Sequence, residues 1–212
     1  MKGITFGDYH SYDDLHLILT KKEIGSPAVK ATRIEVEGAD SYLDLTDFFG
    51  EPKYQNVNHK FDFSTIEKNS LSLFSTIKNT LHGKKVRIIL DDDPAFFYVG
   101  RLSVSSFTSE KGIGALTIEA DCEPYKYKTA RTTITQAVNG TTNITLTNMR
   151  KRAVPEVSIN AEGTLNIVYR GNIWDLGAGS YTLPELELQA GDNSVTVTGT
   201  GTITFTWQEA GL

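Results

Sequence analysis

The sequence predicts a mainly β protein with one α-helix, organised as two domains. Three observations carry that expectation. Short runs of alternating apolar and polar residues recur along the chain between Gly, Pro and Asn-Gly turn signals. A single segment changes period, where Leu71, Phe74, Ile77 and Leu81 form one apolar helical stripe. Composition also shifts near residue 129, beyond which there is one lysine, Lys151, and there are 16 threonines. Threonine's β-branch suits a pleated, half-exposed surface. The boundary is placed in the stretch from Pro124 to Thr132, giving domains at 1–128 and 129–212.

In the first domain, Leu15-His16-Leu17-Ile18-Leu19 reads as a strand and Gly25-Ser26-Pro27 as a turn. Thr32-Arg33-Ile34-Glu35-Val36-Glu37 alternates strictly, placing Ile34 and Val36 on one face and the charged residues on the other. His59-Lys60-Phe61-Asp62-Phe63 is a further strand. The helix is expected over about 65–82, with Ser64 and Glu67 as a capping box or Asn69 or Ser70 as the cap. Gly83 stands where a helix-terminating glycine belongs, and Lys84 and Lys85 suit the negative end of the helix dipole. Residues 86–90 and 96–99 form a hairpin around Asp91-Asp92-Asp93-Pro94. Residues 102–107 and 116–120 form a second one.

The second domain reads as a small antiparallel sandwich or jelly roll. Alternating runs occur at 133–135, 143–146, 156–159, 165–169, 186–188, 194–197 and 203–207. The turns between them include Asn139-Gly140, Gly171-Asn172, Gly177-Ala178-Gly179 and Gly199-Thr200-Gly201. That spacing is the pattern of sandwiches and jelly rolls.

Charge and cysteine content exclude several function classes. Among 212 residues, 21 Lys and Arg stand against 26 Asp and Glu, a net charge of -5. Gripping DNA would require a basic face. Cys122 is the sole cysteine, so no intrachain disulfide can form. The opening residues turn polar at once, and no apolar stretch approaches the ~20 residues of a membrane span. No signal peptide and no membrane insertion are expected.

Candidate chemistry is sparse. Asp91, Asp92 and Asp93 lack the alternating carboxylates, glycine bend and later glutamate of a calcium loop, and read as a solvated hairpin turn. His10, His16, His59 and His82 show no metal-binding spacing, although Asp8, Asp13 and Asp14 lie close to His10 and His16 in sequence. Cys122 sits between Asp121 and Glu123, whose charges disfavour a thiolate. Gly112-Ile113-Gly114 resembles part of a dinucleotide loop but no helix follows it. Arg150-Lys151-Arg152 is too short a basic run for nucleic acid. No catalytic residue, metal or cofactor is expected. Tyr169, Trp174, Tyr181 and Trp207 could stack on sugar rings, or alternate into the core as strand aromatics do. Arg170, Asn172 and Trp174 are the candidate glycan contacts of a carbohydrate-binding alternative.

The opening Gly3-Ile4-Thr5-Phe6-Gly7-Asp8-Tyr9-His10-Ser11 resembles the start of the distal tail proteins of long-tailed, non-contractile phages and prophages. The resemblance continues through Gly38-Ala39-Asp40, Leu43-Asp44-Leu45-Thr46 and Leu81-His82-Gly83-Lys84. It extends through Leu90-Asp91-Asp92-Asp93-Pro94, Tyr98-Val99-Gly100-Arg101 and Asp121-Cys122-Glu123-Pro124-Tyr125-Lys126. It covers nearly all of the first 128 residues in order; the second domain matches in architecture only. Many members have Tyr-x-Asn-Arg where this chain has Tyr54-Gln55-Asn56-Val57.

The resemblance implies an N-terminal split β-barrel with a helix and a C-terminal galectin-like sandwich. It implies a non-enzymatic hexameric ring at the distal end of a tail tube, in a virion tail tip assembled in the host cytoplasm. The implied partners are other copies of the chain, the major tail tube protein, and a tail-associated lysin or tip protein. A receptor-binding or baseplate protein is a further one, and DNA would pass through the lumen without specific binding. Phe96, Phe97 and Tyr98 are the candidate ring interface, because consecutive strand aromatics point to both faces.

Overall fold

A computed structural model of the chain describes residues 2–48, 50–67, 69–110 and 112–212. It is mainly β with one helix, and it divides into two compact units. One runs to Lys126 and includes Leu212; the other spans Tyr127–Gly211. Lys111, in the expected 109–112 turn, lies outside the described residues.

The first unit contains β1 (Ile4–Phe6), β2 (Tyr9–His10), β3 (Ile18–Glu23), β4 (Arg33–Ile34), β5 (Leu43–Asp44) and β6 (Val57–Thr65). Helix α1 (Ser70–Leu81), β7 (Lys85–Leu90), β8 (Phe96–Glu110) and β9 (Ile113–Cys122) follow. The main sheet has the order β2-β1-β7-β8-β9-β6-β3, antiparallel where registers pair. It curls until the edge strand β3 comes back towards β1. Ile4, Leu19, Lys22, Leu90 and Asp92 line a cleft of about 280 Å³ between those strands, so the curled sheet stays split along one seam.

Strict alternation along β6 sends Val57, His59, Phe61, Phe63 and Thr65 inward. Phe6 packs edge-on against Phe61 and Phe63 at 5.8 and 6.1 Å. Ile77 and Leu81 of α1 complete this core with Leu17, Ile88, Leu102 and Ile118. Val57 is 7% exposed.

Several expectations are corrected here. The helix begins at Ser70, not near 65, because Ser64 and Thr65 are still paired with β9. Ser64 therefore caps nothing, and Asn69 makes no side-chain capping bond. Leu73 joins Phe74 in the apolar stripe in place of Leu71, which is 67% exposed. Leu15 and Leu17 are buried, but the strand starts only at Ile18, after His16 at φ 52. The 96–99 and 102–107 runs are one strand, β8, continuous through Gly100.

The chain passes through β10 (Lys126–Lys128) into β11 (Thr132–Asn148), β12 (Glu156–Asn160), β13 (Leu165–Tyr169) and β14 (Asn172–Leu176). Then come β15 (Gly179–Thr182), β16 (Gly191–Trp207) and β17 (Ala210–Gly211). Strand β16 organises this unit. It pairs with β11 along its whole length, from Gly191↔Asn148 to Trp207↔Thr132. Its early half also pairs with β13, and its late half with β12.

The expected turns at Asn139-Gly140 and Gly199-Thr200-Gly201 are therefore not turns. Gly140 lies opposite Gly199, with φ of +85 and +139, and the paired strands bend there from the β13–β14 side to the β12–β15 side. A Cβ on Gly199 would meet Leu165 Cδ2 at 2.7 Å, and one on Gly201 would meet Ala161 Cβ at 2.6 Å. The threonines line the exposed face of the ladder, where Thr133–Thr206, Thr135–Thr204 and Thr141–Thr198 hydroxyls pair at 3.2, 2.9 and 3.1 Å. Strands β14 and β15 arise where turns alone were expected. Residues 186–188 form no strand: Leu186 and Leu188 are buried through one isolated bridge, Ala153↔Leu188. Among the described residues, no helix is long and apolar enough to cross a membrane.

Candidate functional site

The triple-aspartate turn between β7 and β8 binds three separate segments of the first unit. Asp91 Oδ2 accepts the Gly3 N–H at 2.6 Å and lies 3.1 Å from His10 Nε2. Asp92 pairs with Lys22 of β3 across the seam. That hydrogen bond holds the Asp92 carboxyl below the ordinary carboxylate range. Asp93 pairs with Lys126 at 3.3 Å. The turn is solvent-exposed, as expected, and in addition each carboxylate has a cationic or N–H partner. Among the described residues, no group of three His, Cys, Asp or Glu side chains could hold a metal ion.

A second constellation joins the helix exit to the sheet. His82 follows Leu81, and its Nδ1 accepts the Val104 N–H at 3.1 Å. Gly83, at φ +79, donates its N–H to Leu102 O at 2.8 Å. Lys84 O accepts the Leu102 N–H at 2.9 Å, and Arg101 Nη1 donates to Gly83 O at 2.5 Å. Left-handed glycine geometry is what turns the chain from helix to sheet here. The motif residues Leu81, His82, Gly83, Lys84, Gly100 and Arg101, distant in sequence, form one structural lock. Asp91 and Asp92 with Pro94 form the turn above, and Pro124 lines a cleft with His59 and Tyr98.

His59 is 1% exposed and stacks edge-on against Tyr98 at 4.6 Å. Burial lowers its pKa, so it is held neutral, with Nδ1 accepting the Gly25 N–H at 3.2 Å. Burial pushes the Cys122 thiol up to about 12, helped by Asp121 and Glu123. A thiol so protected is no nucleophile. Gly112 and Gly114 flank the start of β9, with no helix there. Of the basic run, Lys151 donates to Tyr127 Oη at 2.5 Å and Arg152 pairs with Glu187 at 3.0 Å. Both charges thus serve the second unit's own structure.

The candidate interface aromatics differ in exposure. Phe97 is 5% exposed, with the Arg87 guanidinium 4.7 Å over its ring. Phe96 and Tyr98 are half-buried, and Lys126 Nζ lies 4.5 Å over Phe96. Among the candidate glycan contacts, Arg170 and Gly171 form the two-residue β13–β14 turn, at φ 49 and 86. Asn172 and Trp174 share a face with the buried Tyr169 and Ile167. Trp174 packs half-buried against the core; Arg170 and Asn172 are exposed. Tyr169 and Trp207 are core side chains at 2% and 1% exposure.

The feature missed in the sequence is a surface lobe. Residues 28–44 contain no buried side chain. Their β4–β5 pairing is two residues long, and the Arg33 guanidinium covers the Tyr42 ring at 4.5 Å. Ile34 and Val36, expected together on one face of a strand, are 48% and 49% exposed. Alternation reports two unlike faces, and here neither is covered within the chain. The clue available was charge: residues 35–51 hold six acidic residues and no basic one.

No protein-family model matches the sequence, and a comparison with characterised protein sequences finds no match. The fold does match solved structures. One is the crystal structure of the Dit protein (gp 19.1) of phage SPP1, a hub of the adsorption apparatus in phages that infect Gram-positive bacteria. It superposes with a TM-score of 0.71 at 13% identity, over 98% of this chain and 99% of that one. A chain of the phage p2 baseplate, in its activated conformation with strontium, gives a TM-score of 0.46 at 7% identity over 99% and 98%. The chain therefore has the fold of the SPP1 hub protein across both units.

Proposed function

We propose that this chain is a distal tail protein, a structural component of a phage tail hub. The observation that carries this reading is the end-to-end fold match to the SPP1 hub protein. A match confined to one unit would be open to many functions, since common β folds host unrelated activities. Here both units and their order agree. The motif residues of the first unit support the same reading, because they form its connecting lock and its triple-aspartate turn.

In this reading the first domain builds a hexameric ring at the end of the tail tube, and the galectin-like sandwich belongs to the tip or baseplate side. The ring joins the tube to a tail-associated lysin or tip protein and lets DNA pass. Residues Phe96 and Tyr98, still partly open, are candidate contacts with a neighbouring copy. The role is non-catalytic, which agrees with a buried, protonated Cys122 and a neutral, buried His59. The net charge of -5 suits a channel that must not hold DNA.

The test is assembly of the unsubstituted protein. Six copies of 23.4 kDa give a species of roughly 140 kDa. Light scattering should find that mass, and electron microscopy should find closed six-fold rings with an open centre. A chain that remains monomeric at every concentration, with no ring in any image, counts against the reading.

A further inference from the structure

Two exposed surfaces of the first unit are opposite in charge and alike in being apolar. The first is the lobe. Val29, Ile34, Val36, Tyr42 and Leu43 are 45% to 52% exposed there, and Phe48 is 70% exposed. A two-residue strand pair has too little packing to justify so much open apolar surface on its own. Residues 28–48 hold five carboxylates, Glu35, Glu37, Asp40, Asp44 and Asp47, against Lys30 and Arg33, and Arg33 lies 3.9 Å from Asp44. Glu35, Val36, Glu37, Asp40 and Tyr42 are among the walls of a recess of about 560 Å³ in this lobe.

The second surface lies on the outer side of α1. Leu71 and Lys78 are two helical turns apart and share its exposed face. Ile66 and Ile113, at 74% and 54% exposure, flank the start of the helix. Gly114 fixes that proximity: a Cβ on it would meet Thr65 at 3.0 Å and Ser70 at 3.1 Å. Lys78 of α1 and Lys84 just past its end supply positive charge beside the exposed Glu67, whereas Lys85 is paired with Glu123 at 2.6 Å and the Arg87 guanidinium lies over the Phe97 ring. All four basic side chains are exposed.

We propose that the acidic lobe, residues 28–48, of one copy docks on the basic outer face of α1, with Ile66 and Ile113, of the next copy. This rests on the ring reading above and supplies its polarity. A closed ring needs a heterologous interface, in which each copy offers two different patches. The lobe and the helix face are two such patches, apolar at the centre and complementary in charge. Opposite charge selects the register, while apolar burial supplies affinity. Lys78 and Lys84 enter the carboxylate-lined recess, and Leu71 meets the apolar side chains of the lobe.

A charge swap tests this. One variant carries Glu35→Lys, Glu37→Lys and Asp40→Lys; the other carries Lys78→Glu and Lys84→Glu. Every substituted side chain is exposed, and circular dichroism of each variant checks that the fold is kept. Mass is followed by light scattering at low ionic strength. Each variant alone should lose association by more than about tenfold. An equimolar mixture should regain it, because each lobe then meets an oppositely charged helix. A ring unaffected by either variant, or variants whose mixture stays dissociated, overturns the pairing. An unsubstituted chain that forms no ring overturns the ring reading, and this pairing with it. A ring that forms but ignores the swap overturns the pairing alone.

Discussion

Gly100 lies directly opposite Cys122 in the β8–β9 ladder, and a Cβ on Gly100 would sit 2.4 Å from Cys122 Sγ. The two residues fill one space in the core of the first unit. Gly100→Ala should therefore destabilise the protein by about 1–3 kcal/mol through overpacking. Cys122→Ala opens the space, so the double variant should lose less than the sum of the two single losses. A coupling on the order of 1 kcal/mol is expected in urea unfolding. Strict additivity would show that the pair does not share that space.

The same thiol provides a labelling test. With its pKa raised to about 12, Cys122 should resist alkylation in native buffer and react at once in denaturant. The raised value also sets a sign. Unfolded, the thiol loses its proton near its ordinary value of 9.0; folded, it keeps it to about 12. Its contribution is intact below pH 9.0 and is lost as pH rises from there towards 12. Rapid labelling of the folded protein would contradict the buried placement.

His59 acts at the other end of the pH scale. Its pKa is lowered in the fold, so the unfolded chain takes up a proton first as pH falls below the ordinary 6.5. Stability should decline through that range, and His59→Gln should flatten this part of the profile. Chemical unfolding at a series of pH values gives the slope directly. An unchanged slope would assign the acid sensitivity to other groups.

The two glycines at the bend of β11 and β16 should respond unequally. Gly199→Ala meets both a left-handed φ of +139 and Leu165 at 2.7 Å, and should cost on the order of 3 kcal/mol. Gly140→Ala has open space around it and pays only for its positive φ, roughly 1 kcal/mol. Thermal unfolding of the second unit would rank them; equal effects would remove the steric argument.

What was legible in the sequence follows from which forces act locally. The β6 alternation and the Ile77 and Leu81 pair report burial directly, so strand and helix were both readable. Gly140 and Gly199 were read as turns because a glycine's need for positive φ is local, whereas its use in a bend depends on a partner about sixty residues away. The exposed turn of the triple aspartate was readable, but its partners were not, for a similar reason. Its partners Gly3, Lys22 and Lys126 come from three segments that only the curled sheet brings together. Ile34 and Val36 show the converse limit: alternation places them on one face but does not say whether that face is covered.

The pairing of Thr132 with Trp207 has a mechanical consequence. The main chain enters and leaves the sandwich on adjacent strands, about 4.8 Å apart. Tension along the polypeptide would cross a single rung of the ladder instead of running through the sandwich. The strands between Thr132 and Trp207 can change in size or surface without altering the span between those two residues.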